Sequence, residues 1–240
     1  MVEMDGVHLH VECSGEGQGV VLLHGWGQDL SMMRLLQCQL QESYRVVNLD
    51  LPGFGESIPL REGWGMDDYV TCLFELLNRY EIENPILIAH SFGARIAIRY
   101  AARFPVKKMV LTGAAGLRAP LSLWKRAKQK AYRINQKLKL PIHFGSSDYR
   151  NADPALKKVL VQAVNEDLSS LLPDIHCPVL LVWGSEDQQT PLWMARKMES
   201  LLPQAKLIVY RGEDHFAYYH QGFRFIEDIQ QFLGVSRCCG

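Results

Sequence analysis

The sequence predicts an α/β fold: a doubly wound, mostly parallel β-sheet with a small helical lid inserted into it. Three observations support this prediction. Short β-rich runs alternate along the chain with segments that carry apolar residues at helical spacing, as in domains built from βαβ units. Residues 117–174 interrupt that alternation with helical patterning and no convincing strand. The length of 240 residues and the hydrophobic content of 48% suit one compact domain.

The predicted strands are continuous apolar runs, which are typical of strands covered by helices on both faces. They lie at 19–25, 44–50, 85–90, 107–113, 177–184 and 205–212. The opening segment differs, because its residues alternate in character on either side of Asp5-Gly6, a pair that favours a tight turn. We therefore expect an antiparallel start to the sheet.

The predicted helices lie between these strands, at about 31–43, 66–80, 92–103, 191–202 and 221–233. The segment from Met66 illustrates the pattern, since Asp67 and Asp68 stand where acids complement the helix dipole and its apolar residues form a stripe. A helix between consecutive strands indicates that those strands run parallel.

The segment 117–174 is interpreted as a helical lid inserted into a core made of residues 1–116 and 175–240. Four prolines divide it into short pieces, at Pro120, Pro141, Pro154 and Pro173. Between positions 118 and 139 it carries eight basic residues and no acid. These are Arg118, Lys125, Arg126, Lys128, Lys130, Arg133, Lys137 and Lys139. They form either a solvated helix face or a surface that attracts an anionic substrate or an acidic acyl carrier.

The rest of the composition argues against several classes of protein. Lys plus Arg equals Asp plus Glu at 26 each, so no global charge indicates a nucleic-acid partner or a membrane surface. The first residues lack the basic and apolar regions of a signal peptide, and no run is long enough to cross a bilayer. We therefore expect a cytoplasmic protein without a membrane span.

The cysteines give no sign of a metal site or a disulfide framework. The six are scattered without CxxC spacing, and the tail that holds Cys238 and Cys239 lacks a prenylation pattern. Histidines and acids also show no metal-ligand spacing. We expect neither a metal nor a cofactor, and we assign the two tail cysteines no role.

Ser91 is the candidate nucleophile. In Ala89-His90-Ser91-Phe92-Gly93 it follows a predicted strand and opens a predicted helix. A serine on such a sharp turn exposes its hydroxyl, and small residues two places to either side avoid a collision. The first amides of the helix, beginning with Phe92 N–H, point to where negative charge develops during acyl transfer. The pentapeptide alone also fits an ordinary strand-to-helix turn.

These residues resemble the α/β-hydrolase fold superfamily of the serine hydrolase and carboxylesterase type, whose turn is usually G-x-S-x-G. This chain departs from that pattern at Ala89. The resemblance assigns a second oxyanion-hole N–H to Trp26 in the His24-Gly25-Trp26-Gly27 loop. The rings of Trp26 and Phe92 are candidate substrate contacts. His24 is interpreted as a scaffold histidine, and the turn at 50–57 as scaffold that resembles D-x-x-G-x-G-x-S.

The acid and the base are also carried by loops that resemble those of the superfamily. Gly184, Asp187 and Pro191 match G-x-x-D-x-x-x-P, which makes Asp187 the residue that orients the catalytic histidine, with Glu186 as the local competitor. The loop from Gly212 to Phe216 assigns the base to His215, although Asp214 stands where glycine is common. His220 is a lesser candidate. The order Ser91, Asp187, His215 is that of the superfamily.

The resemblance implies hydrolysis of a carboxylic ester or thioester through an acyl-enzyme on Ser91. Two alternatives stay open, namely cofactor-free hydrolysis of a carbon–carbon bond on the same scaffold and ligand binding by a protein with a vestigial site. Relatives that open epoxides or remove halogens have aspartate where Ser91 stands. The HGWG and DLPGFGES segments also resemble carboxylesterases that release a methyl ester from acyl carrier protein, but such turns are widespread.

Overall fold

The core of the protein is a seven-stranded β-sheet, seen in a computed structural model that describes residues 1–4, 6–57, 60–118 and 153–235. Its parallel strands are β4 (Gly19–Leu23), β5 (Arg45–Leu49), β6 (Ile86–His90), β7 (Lys108–Thr112), β8 (Val179–Gly184) and β9 (Ala205–Tyr210). The antiparallel edge strand β3 (Val11–Ser14) pairs with β5, with Val11 opposite Leu49. The strand order is β3-β5-β4-β6-β7-β8-β9, so the predicted fold class is confirmed.

The antiparallel start differs in detail from the prediction. The turn at residues 5 and 6 joins β1 (Val2–Met4) to β2 (Val7–Leu9) in a separate two-stranded sheet. At His10 the backbone N–H donates to Ser57 Oγ and the carbonyl accepts from Asp50 N–H. Because these bonds go to a loop rather than to a strand, the chain leaves the hairpin there and enters the main sheet as β3.

Helices cover both faces of the sheet. One face carries α1 (Arg34–Leu40), preceded by a 3₁₀ turn at Leu30–Met33, and α7 (Gly222–Leu233). The other carries α2 (Met66–Arg79), α3 (Phe92–Ala101) and α5 (Leu192–Leu201), and α4 (Pro154–Asn165) packs on α2. The short α6 (Ala217–His220) and a 3₁₀ turn at Leu172–Asp174 complete the described elements. Within this part of the chain, no helix is both long and apolar enough to cross a membrane.

Strand β4 shows why the strands are apolar throughout. Val20 and Leu22 belong to the core under α1 and α7, whereas Val21 and Leu23 belong to the core under α2 and α3. Successive side chains of a strand point to opposite faces, and both faces are buried here. The continuous apolar pattern of the sequence follows from this two-sided burial.

The strand order places the carboxyl ends of β4 and β6 at a topological switch point. From β4 the chain crosses to β5 on one side, whereas β6, β7, β8 and β9 follow one another on the other side. In open α/β sheets, the crevice beyond the carboxyl ends of the strands at such a point is the usual ligand site. Ser91 and the loop from His24 both emerge at this edge.

The predicted lid falls largely outside the described residues, because residues 119–152 are not among them. Its last part forms α4, which begins at Pro154 behind the N-cap Asp153. The two ends of the insertion are tied to each other, since Leu168 N–H donates to Gly116 O at 2.7 Å and Arg118 N–H to Asp167 Oδ2 at 3.0 Å. The lid and its boundaries therefore stay a prediction.

Candidate active site

Ser91 occupies a strained turn at the end of β6. Its φ of 47° and ψ of −104° lie in a region that side chains other than glycine rarely adopt. The turn is held on both sides, because Ser91 N–H donates to Thr112 O and Ser91 O accepts from Ala115 N–H, each at 3.1 Å. The serine hydroxyl therefore projects at the carboxyl edge of the sheet, as a nucleophile at this turn requires.

The small residues beside Ser91 have a steric cause. A Cβ on Gly93 would lie 2.5 Å from Leu23 O, so only glycine lets α3 start against the backbone of β4. Ala89 is fully buried within β6, opposite Leu23 and Leu111. The methyl group of Ala89 fits there, and the departure from G-x-S-x-G does not disturb the turn.

The structure brings the three predicted catalytic side chains into one hydrogen-bonded row. His215 Nε2 lies 3.0 Å from Ser91 Oγ, and His215 Nδ1 lies 2.8 Å from Asp187 Oδ2. A carboxylate only accepts hydrogen bonds, so His215 carries its proton on Nδ1 and turns the Nε2 lone pair to the serine hydroxyl. The competitor Glu186 is exposed and has no part in this row.

The Asp187 carboxylate receives several donors besides His215. Its Oδ1 accepts from Gln189 N–H at 2.9 Å and Thr190 N–H at 2.8 Å, and its Oδ2 lies 2.7 Å from Thr190 Oγ1. Burial raises the pKa of Asp187, but the hydrogen bonds from His215 and Thr190 outweigh it, so the pKa lies below its ordinary value. The carboxylate is therefore held ionised next to His215.

Two glycines allow the loops to approach one another. A Cβ on Gly184 would lie 2.2 Å from the carbonyl oxygens of both Glu213 and Asp214, and one on Gly113 would lie 3.1 Å from His215 Nδ1. The acid loop and the histidine loop thus meet backbone to backbone. This contact sets the separation of Asp187 from His215.

The two predicted oxyanion-hole residues are neighbours. The ring centroids of Trp26 and Phe92 are 5.2 Å apart in an edge-to-face contact, and Phe54 packs against both. Among the described residues, neither the N–H of Trp26 nor that of Phe92 donates a hydrogen bond to a protein acceptor. For Phe92 this is expected, because the first N–H groups of a helix lack intrahelical partners.

His24 and Asp50 hold the loops around the site. His24 Nε2 accepts from Leu51 N–H at 2.9 Å and its Nδ1 donates to Gly25 O at 2.8 Å, while burial lowers the pKa of His24 and keeps the ring neutral. Asp50 accepts from Leu30 N–H at 2.7 Å and from Glu56 N–H at 2.8 Å. These contacts agree with the scaffold roles that the sequence suggested.

The departure at Asp214 has a local role. Its carboxylate accepts from Phe216 N–H at 2.8 Å, so the side chain holds the turn that leads into α6. The positive φ of this loop falls at Gly212, at 76°, and Asp214 needs no glycine-like conformation. The lesser candidate His220 is exposed, and its Nδ1 lies 3.3 Å from Glu213 Oε2 rather than near Ser91.

Two residues near the site could not be recognised from the sequence. Thr190 contacts Asp187, His215 and Gly113. His90 is fully buried with its ring centroid 4.7 Å from that of His215, and it lies 3.1 Å from Thr112 O through Nδ1. Burial lowers the pKa of His90 to about 3 and keeps it neutral. Neither residue has a sequence signal, because these contacts come from other strand ends.

No group of three or more His, Cys, Asp or Glu among the described residues is arranged to hold a metal ion. The row of Ser91, His215 and Asp187 can move a proton and form a covalent bond with side chains alone. Such an arrangement suits nucleophilic catalysis.

Comparison with known proteins extends over nearly the whole chain. A model of the alpha/beta hydrolase family matches residues 20–228. The chain is 30% identical over 226 residues to a pimeloyl-[acyl-carrier protein] methyl ester esterase of Shewanella woodyi, covering 81% of this chain and 84% of that protein. It is 24% identical over 265 residues to a 2-hydroxy-6-oxo-2,4-heptadienoate hydrolase of Pseudomonas putida, covering 98% and 96%.

Solved structures share the fold. An esterase from Exiguobacterium antarcticum superposes with a TM-score of 0.77 at 23% identity, covering 96% of this chain and 97% of that one. The sheet order, the turn at Ser91 and the family match over residues 20–228 agree with one another. The chain is a hydrolase that belongs to the alpha/beta hydrolase family.

Proposed function

We propose that the protein is a serine hydrolase that cleaves a carboxylic ester or thioester through an acyl-enzyme on Ser91. The observation that carries this proposal is the unbroken row from Asp187 through His215 to Ser91 Oγ, with contacts of 2.8 and 3.0 Å. Contacts of that length let a proton pass directly from the serine to the histidine. A strained serine at the carboxyl edge of the sheet supports the same role.

The proposed reaction has two halves. His215 Nε2 takes the proton of Ser91 as Oγ attacks the acyl carbon, and the imidazolium then protonates the leaving alcohol or thiol. The acyl group stays on Ser91. A water molecule, deprotonated by His215, attacks the acyl-enzyme, and the acid departs as Ser91 regains its proton. Asp187 holds the tautomer of His215 and stabilises its charged form.

The N–H groups of Trp26 and Phe92 are the proposed donors to the oxyanion of both tetrahedral intermediates. Their support is the contact between the two rings and the lack of a protein acceptor for either N–H within the described residues. Donors already in place at a developing oxyanion stabilise the transition state without reorganisation. The same two rings are our candidates for substrate contacts.

Hydrolysis of a carbon–carbon bond is the second candidate. The support is similarity over 98% of the chain to the 2-hydroxy-6-oxo-2,4-heptadienoate hydrolase of Pseudomonas putida. The same serine, histidine and acid serve either chemistry, so the fold alone does not separate the two. The ester candidate is preferred because the Shewanella woodyi esterase is the more identical of the two relatives, at 30%.

The segment 117–174 is proposed as a lid over this site. Its ends leave the core next to the nucleophile, since Ala115 N–H donates to Ser91 O and Gly116 O accepts from Leu168 N–H. Its basic run from Arg118 to Lys139 supports an anionic substrate or an acyl carrier as partner. Apart from Arg118, that run lies outside the described residues.

The first test is labelling with a fluorophosphonate, which forms a covalent adduct with an activated serine. We expect one adduct, on Ser91, that is lost in Ser91→Ala and retained in Ser200→Ala, a matched change at an exposed helical serine. Folding of both variants is checked by circular dichroism. Folded wild-type protein that forms no adduct would contradict the proposal and favour a vestigial site.

A substrate panel then separates the ester and carbon–carbon candidates. It contains neutral p-nitrophenyl esters, thioesters, a methyl ester on acyl carrier protein and a 2-hydroxy-6-oxo-dienoate. We expect kcat/KM to be highest for an ester or thioester. If the lid attracts acidic substrates, added salt should lower kcat/KM for those substrates only. Preference for the dienoate would replace the ester proposal with carbon–carbon hydrolysis.

A further inference from the structure

Thr190 lies in the acid loop, next to Pro191, and its side chain is buried behind the proposed triad. Only 5% of its surface is exposed. Its Oγ1 lies 2.7 Å from Asp187 Oδ2, 3.1 Å from Gly113 O and 3.3 Å from His215 Nδ1. Its carbonyl accepts from Trp183 Nε1 at 2.6 Å, which anchors the backbone. The hydroxyl therefore stands at a fixed point between three loops.

A threonine hydroxyl has one proton, so it can donate either to Asp187 Oδ2 or to Gly113 O. The contact with Asp187 Oδ2 is the shorter, and a carboxylate is the stronger acceptor because hydrogen bonds to charged groups are stronger than those between neutral ones. Thr190 N–H also donates to Asp187 Oδ1 at 2.8 Å. Thr190 thus holds both oxygens of the carboxylate and fixes its rotation.

We propose that Thr190 is a positioning residue, whose hydroxyl orients the Asp187 carboxylate and weakens the hydrogen bond between that carboxylate and His215 Nδ1–H. The proposal rests on the proposed function for its catalytic consequence. Oδ2 accepts from both Thr190 Oγ1 and His215 Nδ1. Two donors on one oxygen share its negative charge, so each is bound less strongly than it would be alone.

Loss of the hydroxyl has a direction that follows from this sharing. Without the second donor, Asp187 Oδ2 accepts a stronger hydrogen bond from His215 Nδ1–H and stabilises the imidazolium more. The variant then favours the protonated imidazole more than a chain that keeps the hydroxyl, and the acid limb of the pH profile moves to higher pH. The titratable side chains that contact the ring stay as they are, namely Asp187 and the neutral His90, whose ring centroid lies 4.7 Å away.

The test compares Thr190→Ala with Thr190→Ser. Both variants lose the threonine methyl, and they differ only by the hydroxyl. We expect kcat to be about tenfold lower in Thr190→Ala than in Thr190→Ser at similar KM, as for loss of a hydrogen bond to a charged group. The acid limb of kcat/KM should lie at higher pH in Thr190→Ala, and Thr190→Ser should keep the wild-type profile.

A second measurement needs no turnover. The imidazole of His215 is titrated by NMR in protein labelled with ¹³C-histidine, and its signal is assigned by its loss in His215→Asn. We expect a higher pKa in Thr190→Ala than in Thr190→Ser. Equal pKa values in the two variants would overturn the proposal and indicate that the hydroxyl only supports Gly113. A failure of the proposed function would instead appear as an unlabelled Ser91, with the NMR comparison unaffected.

Discussion

Ser91 is both the proposed nucleophile and a residue with a strained backbone conformation. Its φ of 47° and ψ of −104° suit glycine, yet the proposed reaction needs a hydroxyl at this place. Residues held in such regions cost about 1–3 kcal/mol, and the surrounding structure must hold them there. Here the holding groups are Thr112 O and Ala115 N–H, which belong to β7 and to the loop that follows it.

The strain at Ser91 predicts an unusual order of stabilities. Ser91→Gly should be more stable than Ser91→Ala by about 1 kcal/mol, because relief of strain exceeds the larger entropy that glycine loses on folding. Both variants should fail to react with the phosphonate. Urea unfolding measures the difference, and an alanine variant as stable as the glycine variant would show that the turn carries no strain.

The three residues of the proposed triad could be located from the sequence, whereas the residues that contact them behind the site could not. Ser91, Asp187 and His215 each follow a predicted strand, so their position at one edge of a parallel sheet could be inferred. Thr190 could not be found in this way, because two of the three contacts of its hydroxyl, with Gly113 and His215, are to residues that follow different strands. His90 ends the predicted strand 85–90, and its contact with His215 depends on the packing of α6 and β7.

At the scale of elements, the loops after β8 and β9 form the most constrained contact of the site. Gly184 ends β8 in backbone contact with Glu213 and Asp214, where an added Cβ would lie 2.2 Å from both carbonyl oxygens. Backbone cannot rotate away as a flexible side chain can. Any substitution must therefore move one loop relative to the other, and Asp187 relative to His215.

Gly184→Ala should lower kcat/KM by at least about 100-fold, since displacements near 1 Å have effects of that size. We expect a loss of about 1–3 kcal/mol of unfolding free energy as well, as for other overpacked sites. Gly222→Ala is the matched control, because its added Cβ would meet only the Cδ2 of the exposed Leu35 side chain. Steady-state kinetics and urea unfolding of both variants provide the test, and wild-type activity in Gly184→Ala would refute it.

The predicted strands and helices agree with the structure because pattern and burial have one cause. Both faces of β4 are buried, so its apolar run was informative. The hairpin at the start was harder to assign, because the exit of the chain at His10 depends on Ser57 and Asp50, which are distant in sequence. The lid stays a prediction from helical spacing and proline positions.

At the scale of the whole molecule, the site depends on buried histidines that remain neutral. Burial lowers the pKa of His90 to about 3 and also lowers that of His24. In the unfolded chain these histidines take up a proton at a pH near the ordinary histidine pKa of about 6.5, whereas in the folded chain they do not. Stability is therefore full at neutral pH and falls as the pH drops through about 6.5.

His90 alone should account for about 2 kcal/mol of unfolding free energy lost between pH 7 and pH 5, because only the unfolded state takes up its proton in that range. The carboxylates with lowered pKa values, such as Asp187 and Asp67, lose their contributions only at more acidic pH. Urea unfolding of His90→Asn across this range should therefore show a shallower pH dependence than wild type. His8→Asn, at an exposed position of β2, controls for the loss of a histidine. If His90→Asn and wild type lost the same unfolding free energy between pH 7 and pH 5, His90 would not be a source of the acid sensitivity. The loss of stability would then originate elsewhere in the fold.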